Sequence, residues 1–136
     1  MVPAMRVLRI GYLGVRTTHS EAMTGFFRDV LGLEAAGESE TVTFQRLPTH
    51  RHDFVEVYAS EHSDTRLIPD GTDFVVAFVV DDIRAAIGKV QAAGLEMVGE
   101  PVWAEEAFGD PELGDVAWFW VRAPDGRIYA IQQIPD

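Results

Sequence analysis

Hydrophobic residues recur along the chain with two periods, one typical of strands and one typical of helices. A strand-like run followed by a helix-like stretch occurs twice. The strand-like runs LRIGYLGV and FVVAFVV each precede a stretch in which apolar residues recur at helical spacing. The apolar positions of the first stretch are Ala22, Phe26, Phe27, Val30 and Leu31. Those of the second stretch are Ile83, Ala86, Ile87 and Val90. The pattern predicts one amphipathic helix in each half, with these residues facing the core.

Residues that favour helix ends bracket both stretches. Asp81 or Asp82 is expected to cap the second helix, because a carboxylate accepts hydrogen bonds from the first free N–H groups. Gly32 and Gly94 follow the two helices, where glycine readily adopts the left-handed conformation that ends a helix. These glycines open two similar phrases, GLEAAGE and GLEMVGE. A phrase repeated at equivalent places predicts two related modules.

Further β-type runs follow each helix. They are TVTFQRL and FVEVYA in the first half, and VAWFWV and IYAIQQI in the second. Each half therefore has the order β-α-β-β-β, which predicts an α+β fold. Because neither half carries enough apolar surface to fold alone, we expect a single domain, residues 1–136. Module one covers about 7–60, a linker about 61–72, and module two about 73–134.

Composition restricts the partners of the protein. The 22 acidic and 11 basic residues give a net charge of −11, which repels nucleic acid and anionic lipid. The absence of cysteine excludes disulfides and thiolate chemistry. There is no apolar run of about 18 residues and no signal-peptide pattern. We therefore expect a cytoplasmic protein without a membrane or nucleic-acid partner.

Three phrases resemble one known superfamily. FFRDVLGLE is similar to the first-helix phrase of the vicinal oxygen chelate proteins, which include glyoxalase I, extradiol dioxygenases and bleomycin-resistance proteins. VVDDIRAAIGKVQAAGLE resembles the start of the second module of that superfamily, and APDGRIYAIQQ its closing hairpin. The resemblance covers about residues 7–134. It implies two βαβββ modules that form curved mixed sheets around a pocket, with the helices outside, and it implies a homodimer.

The resemblance also implies four positions for metal ligands. These are Tyr12 and Val75 on the first strand of each module, and Glu56 and Ala130 on the last. A divalent ion needs about three oxygen or nitrogen donors. Valine and alanine side chains offer none, and a neutral phenol is a weak ligand. We therefore predict no metal site and no cofactor.

Four histidines offer alternatives to that ligand set. His50 and His52 could bind a metal as a pair, but at about 3.3 Å per residue His52 lies roughly 13 Å from Glu56 along an extended strand. The pair also falls in a predicted turn, so we interpret both as surface residues. His19 is expected at a helix start and His62 in a solvated loop.

Strand alternation assigns side chains to the pocket. In module one, Tyr12, Phe54 and Glu56 face it, while Val55 and Val57 pack beneath the helix. We expect a hydrogen bond between Tyr12 and Glu56, and burial should raise the pKa of Glu56.

In module two, Val75, Ala77 and Ala130 face the pocket. A four-residue turn at 123–126 would pair Arg122 with Arg127. That register sends two residues to the pocket, Phe119 and Val121. It sends three to the helix side, Trp118, Trp120 and Tyr129.

The second half is longer than the first. From Tyr12 to Glu56 is 44 residues, whereas from Val75 to Ala130 is 55. We assign the extra residues to a loop at 101–115, which is acidic and aromatic. There Trp103 is predicted to cover the pocket mouth and bind a cationic aromatic guest, the alternative being a solvated loop that it anchors.

These predictions favour a metal-independent small-molecule-binding protein of the glyoxalase/bleomycin-resistance type, which sequesters a hydrophobic or cationic aromatic compound. One alternative is a metal-free isomerase, cyclase or lyase, with Glu56 as general base and Tyr12 as its partner. Another is a non-catalytic regulatory or structural module. The predicted ligand-binding residues are Tyr12, Phe54, Glu56, Val75, Ala77, Trp103, Phe119 and Ala130.

Overall fold

The computed structural model describes residues 4–64, 67–104 and 116–135. The chain divides into two compact units. The first unit comprises residues 11–76, and the second comprises the described residues of 1–10 and 77–136.

Each half of the chain has the predicted order of elements. The first half contains β1 (Val7–Thr17), α1 (Ser20–Gly25) with a π-helical continuation (Phe26–Val30), β2 (Glu34–Glu38), β3 (Val42–Arg46) and β4 (Phe54–Ala59). The second half contains β5 (Phe74–Val80), α2 (Ile83–Ala92), β6 (Met97–Ala104), β7 (Val116–Arg122) and β8 (Ile128–Gln133). Both halves are βαβββ modules, so the predicted α+β class is confirmed.

The sheets of both units are mixed. In the first unit the strand order is β2-β3-β4-β1, with β1 parallel to β4 and the other pairs antiparallel. In the second unit the order is β5-β8-β7-β6, with β5 parallel to β8 and the other pairs antiparallel. The two modules thus share one topology, as the repeated phrases predict.

The helix of the first unit buries a different face from the predicted one. Phe27 packs against Val55 and Val57 of β4, but Val30 is 72% exposed. The N–H of Leu31 donates to the carbonyl of Phe26, a π-type bond that widens the last turn and changes the angular spacing of the side chains. The predicted core residues Ala22, Phe26, Val30 and Leu31 are exposed.

A polar residue joins the buried face of α1 instead. Thr24 is buried, and its hydroxyl lies 2.8 Å from that of Thr43 on β3. This hydrogen bond satisfies a hydroxyl group that would otherwise be costly to bury. Apolar spacing alone does not reveal such a pair.

The helix of the second unit follows its prediction closely. The Asp82 carboxylate accepts a hydrogen bond of 3.1 Å from the N–H of Ala85, which caps α2. Ile83 and Ala86 are buried, and the glycine that ends the helix, Gly94, has φ of 73°. The predicted cap, core face and helix end are confirmed.

The predicted facing of the β7 side chains is wrong. Arg122 pairs with Ile128, so the hairpin connection has five residues and not four. A shift of one residue turns every side chain of a strand to the opposite face. Phe119 and Val121 accordingly pack with the α2 cluster. Trp118 and Trp120 occupy the face opposite to α2, as alternation along β7 requires.

Part of the segment predicted as a loop, 101–115, is a strand. Residues 101–104 belong to β6, whose register with β7 shifts between Val98 and Val102. Gly99, with φ of 76°, lies within this bulge and takes up some of the additional length. Residues 105–115 lie outside the described residues.

Within the described ranges, none of the helices has the length and apolar character needed to cross a membrane.

Candidate functional site

Glu56 is a buried acid on the face of β4 that points away from α1. In register, Gly14 of β1 pairs with Glu56, and Tyr12 pairs with Phe54. Since paired residues of neighbouring strands share a face, the structure brings Tyr12, Phe54 and Glu56 to one side of the sheet. Glu56 is only 5% exposed.

The hydrogen-bond partner of Glu56 is Tyr58. The hydroxyl of Tyr58 donates to the carboxyl of Glu56, and it also lies 3.4 Å from the carbonyl oxygen of Leu67. Tyr58 is fully buried. The sequence did not identify Tyr58 as a donor, and the predicted bond between Tyr12 and Glu56 stays a prediction. The alternation of β4 was the available signal, because residues two apart on a strand lie on the same face.

Burial changes the proton affinity of this pair. It raises the pKa of Glu56 to about 7, against an opposing effect of the hydrogen bond from Tyr58. Burial likewise raises the pKa of Tyr58 well above its usual value. At neutral pH the Glu56 carboxyl is therefore divided between its protonated and ionised forms, and it can either donate or accept a proton.

Gly14 leaves room for two phenol rings beside Glu56. A Cβ atom at Gly14 would lie 3.5 Å from the Tyr58 ring and 3.6 Å from the Tyr12 ring. A methyl group would touch both rings, and a longer side chain would have to displace them. Because Gly14 has no side chain, the rings of Tyr12 and Tyr58 can both lie against it, beside Glu56 on the neighbouring strand.

Further aromatic rings surround the acid. Phe44 of β3 pairs in register with Glu56 and meets Phe54 edge-on, with ring centroids 5.9 Å apart. His62 lies edge-on to Tyr58 at 4.8 Å. We call Tyr12, Phe44, Phe54, Glu56 and Tyr58 the Glu56 cluster.

The structure corrects the prediction for His62. The residue is 6% exposed, not solvated, and its Nδ1 lies 2.7 Å from the hydroxyl of Thr41. Its backbone carbonyl accepts a hydrogen bond of 3.4 Å from Arg16. His62 supports the buried ring of Tyr58 from the chain segment that follows β4.

The residues at the metal positions of the resembling superfamily do not fit a metal ion. Val75 and Ala130 are buried hydrocarbon side chains, and the Glu56 carboxyl is engaged by Tyr58. His50 uses its Nδ1 to accept the backbone N–H of His52 at 3.1 Å. Across the described ranges, no group of three His, Asp or Glu residues is arranged to hold a metal.

The predicted residues of the second unit separate onto two faces. Ala77 and Ala130 pair in register and share the face opposite to α2. Phe119 packs on the α2 side, as does Trp103, because Trp103 pairs with Ala117 of the α2 cluster. The expected grouping of Phe119 with Ala130 is therefore wrong, because the hairpin connection is one residue longer than predicted. Trp103 lies on β6 and does not share the face of Ala130.

Trp103 already has a cation on its ring. The guanidinium carbon of Arg84 lies 4.6 Å from the ring centroid of Trp103. This cation–π contact occupies the ring that was predicted to bind a cationic guest. The only sign of this contact in the sequence is an arginine in the first turn of the predicted second helix.

The fold and the residues at these positions define a glyoxalase-like protein in which two of the four ligand positions, Val75 and Ala130, carry hydrocarbon side chains. The sequence matches the Glyoxalase/Bleomycin resistance protein/Dioxygenase superfamily over residues 9–112, and the chain belongs to this superfamily. The resemblance inferred from the three phrases is thereby confirmed. The comparison with curated proteins found no match.

Solved structures share the fold at low sequence identity. A Mn(II)-bound glyoxalase from Novosphingobium aromaticivorans aligns over 96% of this chain and 40% of its own, with 23% identity and a TM-score of 0.73. An extradiol ring-cleaving dioxygenase from B. fuscum aligns over 96% of this chain and 33% of its own, with 22% identity and a TM-score of 0.64. A superfamily member from Vibrio splendidus aligns over 96% and 99%, with 18% identity and a TM-score of 0.59.

Proposed function

We propose that the protein binds a small organic molecule at the Glu56 cluster without a metal ion. The observation that carries the proposal is the hydrogen bond between Glu56 and Tyr58, which engages a buried carboxyl that a metal would otherwise use. Aromatic side chains around one polar group are typical of ligand sites. The homodimer and the cytoplasmic location remain predictions.

The ligand that suits this cluster is a flat hydrophobic compound with an amine. Phe44 and Phe54 offer apolar ring surfaces, and Glu56 in its ionised form pairs with an ammonium group. An approaching cation favours that ionised form. The net charge of −11 attracts cations from solution. Sequestration of a cationic aromatic compound is therefore the function we propose.

The pKa of Glu56 supports a second candidate, a metal-free enzyme. A carboxyl with a pKa of about 7 is suited to general acid–base catalysis near neutral pH. Glu56 would accept a proton from the substrate, and a phenol of the cluster would donate one. An isomerase, cyclase or lyase would need only these two transfers.

The test compares binding of aromatic amines and their neutral isosteres by calorimetry, with and without EDTA. We expect the amines to bind more tightly, EDTA to have no effect, and Glu56→Gln to weaken the binding of amines about tenfold or more. Glu38→Gln is the matched control, because it removes the same charge from an exposed position of the first unit. Equal binding in Glu56→Gln, or one tightly bound divalent ion per chain, would contradict the proposal.

Measuring turnover of a bound compound distinguishes the metal-free enzyme from the binding protein. If a bound compound is converted, Glu56→Gln should abolish its conversion while a Tyr12→Phe variant slows it. A ligand recovered unchanged after prolonged incubation supports the binder alone.

A further inference from the structure

A cleft lies in the second unit, on the α2 side of its sheet. Its volume is about 460 Å³, within the range of small-molecule sites. Ile83 and Ala117 are buried and form an apolar floor, and Ile134 lines a wall. The Glu56 cluster contributes no residue to it, so this cleft is a separate candidate site.

A positive charge stands at this cleft on an exposed side chain, that of Arg84. Arg84 lines the cleft and stacks its guanidinium on Trp103, which is 51% exposed. Stacking on an indole holds the planar guanidinium while leaving its N–H groups at the edge free to donate. Among the residues that the structure describes, no carboxylate forms a salt bridge with Arg84.

Gln133 adds a second donor to the cleft. Its Oε1 accepts a hydrogen bond of 2.9 Å from the N–H of Ile83 at the start of α2. One lone pair of this oxygen is therefore engaged, and the NH₂ group, with two donors, makes no hydrogen bond to the residues that the structure describes. Arg84 has donors only. The polar groups that these two side chains offer to a ligand are thus chiefly donors.

Donors beside an apolar floor favour a ligand with acceptors and an apolar body. A cation is disfavoured, because Arg84 already covers the Trp103 ring and repels a second positive charge. We infer that this cleft binds a hydrophobic carboxylate, whose carboxylate pairs with Arg84 while its aryl or alkyl body lies on Ile83 and Ala117. The inference reverses the charge expected for a guest at Trp103.

Because the chain has a large negative net charge, binding of an anion at this cleft depends on Arg84. At −11 the protein repels anions at a distance, so a carboxylate binds only where a local contact outweighs that repulsion. A bidentate pair between guanidinium and carboxylate is such a contact. Replacing Arg84 should therefore remove the preference for anions and leave the apolar contribution in place.

The experiment titrates three probes of one shape by calorimetry: 3-phenylpropionate, 3-phenylpropanamide and 3-phenylpropylamine. We expect the carboxylate to bind about tenfold or more tightly than the amide, and Arg84→Gln to bring its affinity down to that of the amide. Arg127→Gln is the matched control, because it removes the same charge from an exposed hairpin outside the cleft. Arg84→Lys keeps the charge without the planar fork and should weaken the preference.

The indole N–H resonances locate the bound probe. The chain has three tryptophans, and only the indole N–H resonance of Trp103 should shift strongly when 3-phenylpropionate is added. Trp118 and Trp120 face the other side of the sheet. Glu56→Gln should leave this binding unchanged, so the outcome is independent of the proposed function. The inference is overturned if no carboxylate binding is detected, if Arg84→Gln binds 3-phenylpropionate as the native protein does, or if the shifts fall on Trp118 and Trp120.

Discussion

The Tyr58 hydroxyl donates a hydrogen bond to the carboxyl of Glu56, two residues before it on the same strand. Both side chains are buried, so neither group can exchange this partner for water. A buried polar pair of this kind costs free energy when one member is removed, because the other is left unsatisfied. The bond thus lowers the pKa that burial raises, and it ties the side chain of Tyr58 to that of Glu56 within β4.

Tyr58→Phe should raise the pKa of Glu56 above about 7. The hydrogen bond from Tyr58 lowers that pKa in the native protein, whereas burial raises it. The substitution should also reduce the free energy of unfolding by about 1–3 kcal/mol. A carbon-detected NMR titration of the Glu56 carboxyl and urea denaturation measure the two effects.

Tyr129→Phe is the control for that substitution. Tyr129 stacks on Phe78, and its hydroxyl makes no hydrogen bond to the described residues. Its removal should leave both the Glu56 pKa and the stability nearly unchanged. Equal effects of the two substitutions would show that the hydroxyl of Tyr58 has no special role.

Stability should fall as the pH rises from about 4.5 to about 7. The pKa of Glu56 is raised from 4.5 to about 7 in the folded protein, so between these values the folded state keeps a proton that the unfolded state has lost. The contribution of the protonated acid is complete below 4.5 and is lost as the pH passes through the folded pKa. The loss is on the order of 3 kcal/mol and levels off at higher pH.

Urea denaturation of the native protein and of Glu56→Gln between pH 5 and 8 measures this effect. Glutamine resembles the protonated acid and does not titrate. The difference in the free energy of unfolding between the two proteins should therefore change with pH, and other titrating groups should cancel. A difference that stays constant would mean that Glu56 titrates near its ordinary pKa.

Gly14→Leu should destabilise the protein by about 1–3 kcal/mol, because the larger side chain has to push the buried rings of Tyr12 and Tyr58 apart. Gly14→Ala should be tolerated, since its Cβ would stand 3.5 Å from the Tyr58 ring and 3.6 Å from the Tyr12 ring, at ordinary contact distance. Thermal unfolding followed by circular dichroism measures both. Gly88→Leu is the control, because a Cβ at Gly88 of α2 has no neighbour within 4 Å. Native-like stability of Gly14→Leu would show that the rings yield freely.

The features of the fold that could be predicted are those determined by local signals. Asp82, the apolar spacing that includes Ile83 and Ala86, and Gly94 all specify α2, and they agree. The buried face of α1 could not be predicted in the same way. Its π turn and the hydrogen bond between Thr24 and Thr43 depend on packing against β3 and β4.

The candidate site shows the same division. Strand alternation predicted the face of the sheet on which Glu56 lies. The burial expected on that face predicted that the pKa of Glu56 is raised. The alternation did not single out Tyr58 as a donor to Glu56, because Tyr12 and Tyr58 share that face and alternation gives no distances. The contact of Arg84 with Trp103 joins a helix to a strand, and no periodicity in the sequence reports such a contact.

The five-residue hairpin after β7 has a consequence for the comparison of relatives. A slip of one residue in the pairing of β7 with β8 would exchange the faces of Phe119 and Trp120 without altering either residue. A sequence alignment that moves a one-residue gap from this connection into β7 would likewise equate residues from opposite faces of the sheet. Pocket residues should therefore be transferred between superfamily members only where the pairing of β7 with β8 has been checked.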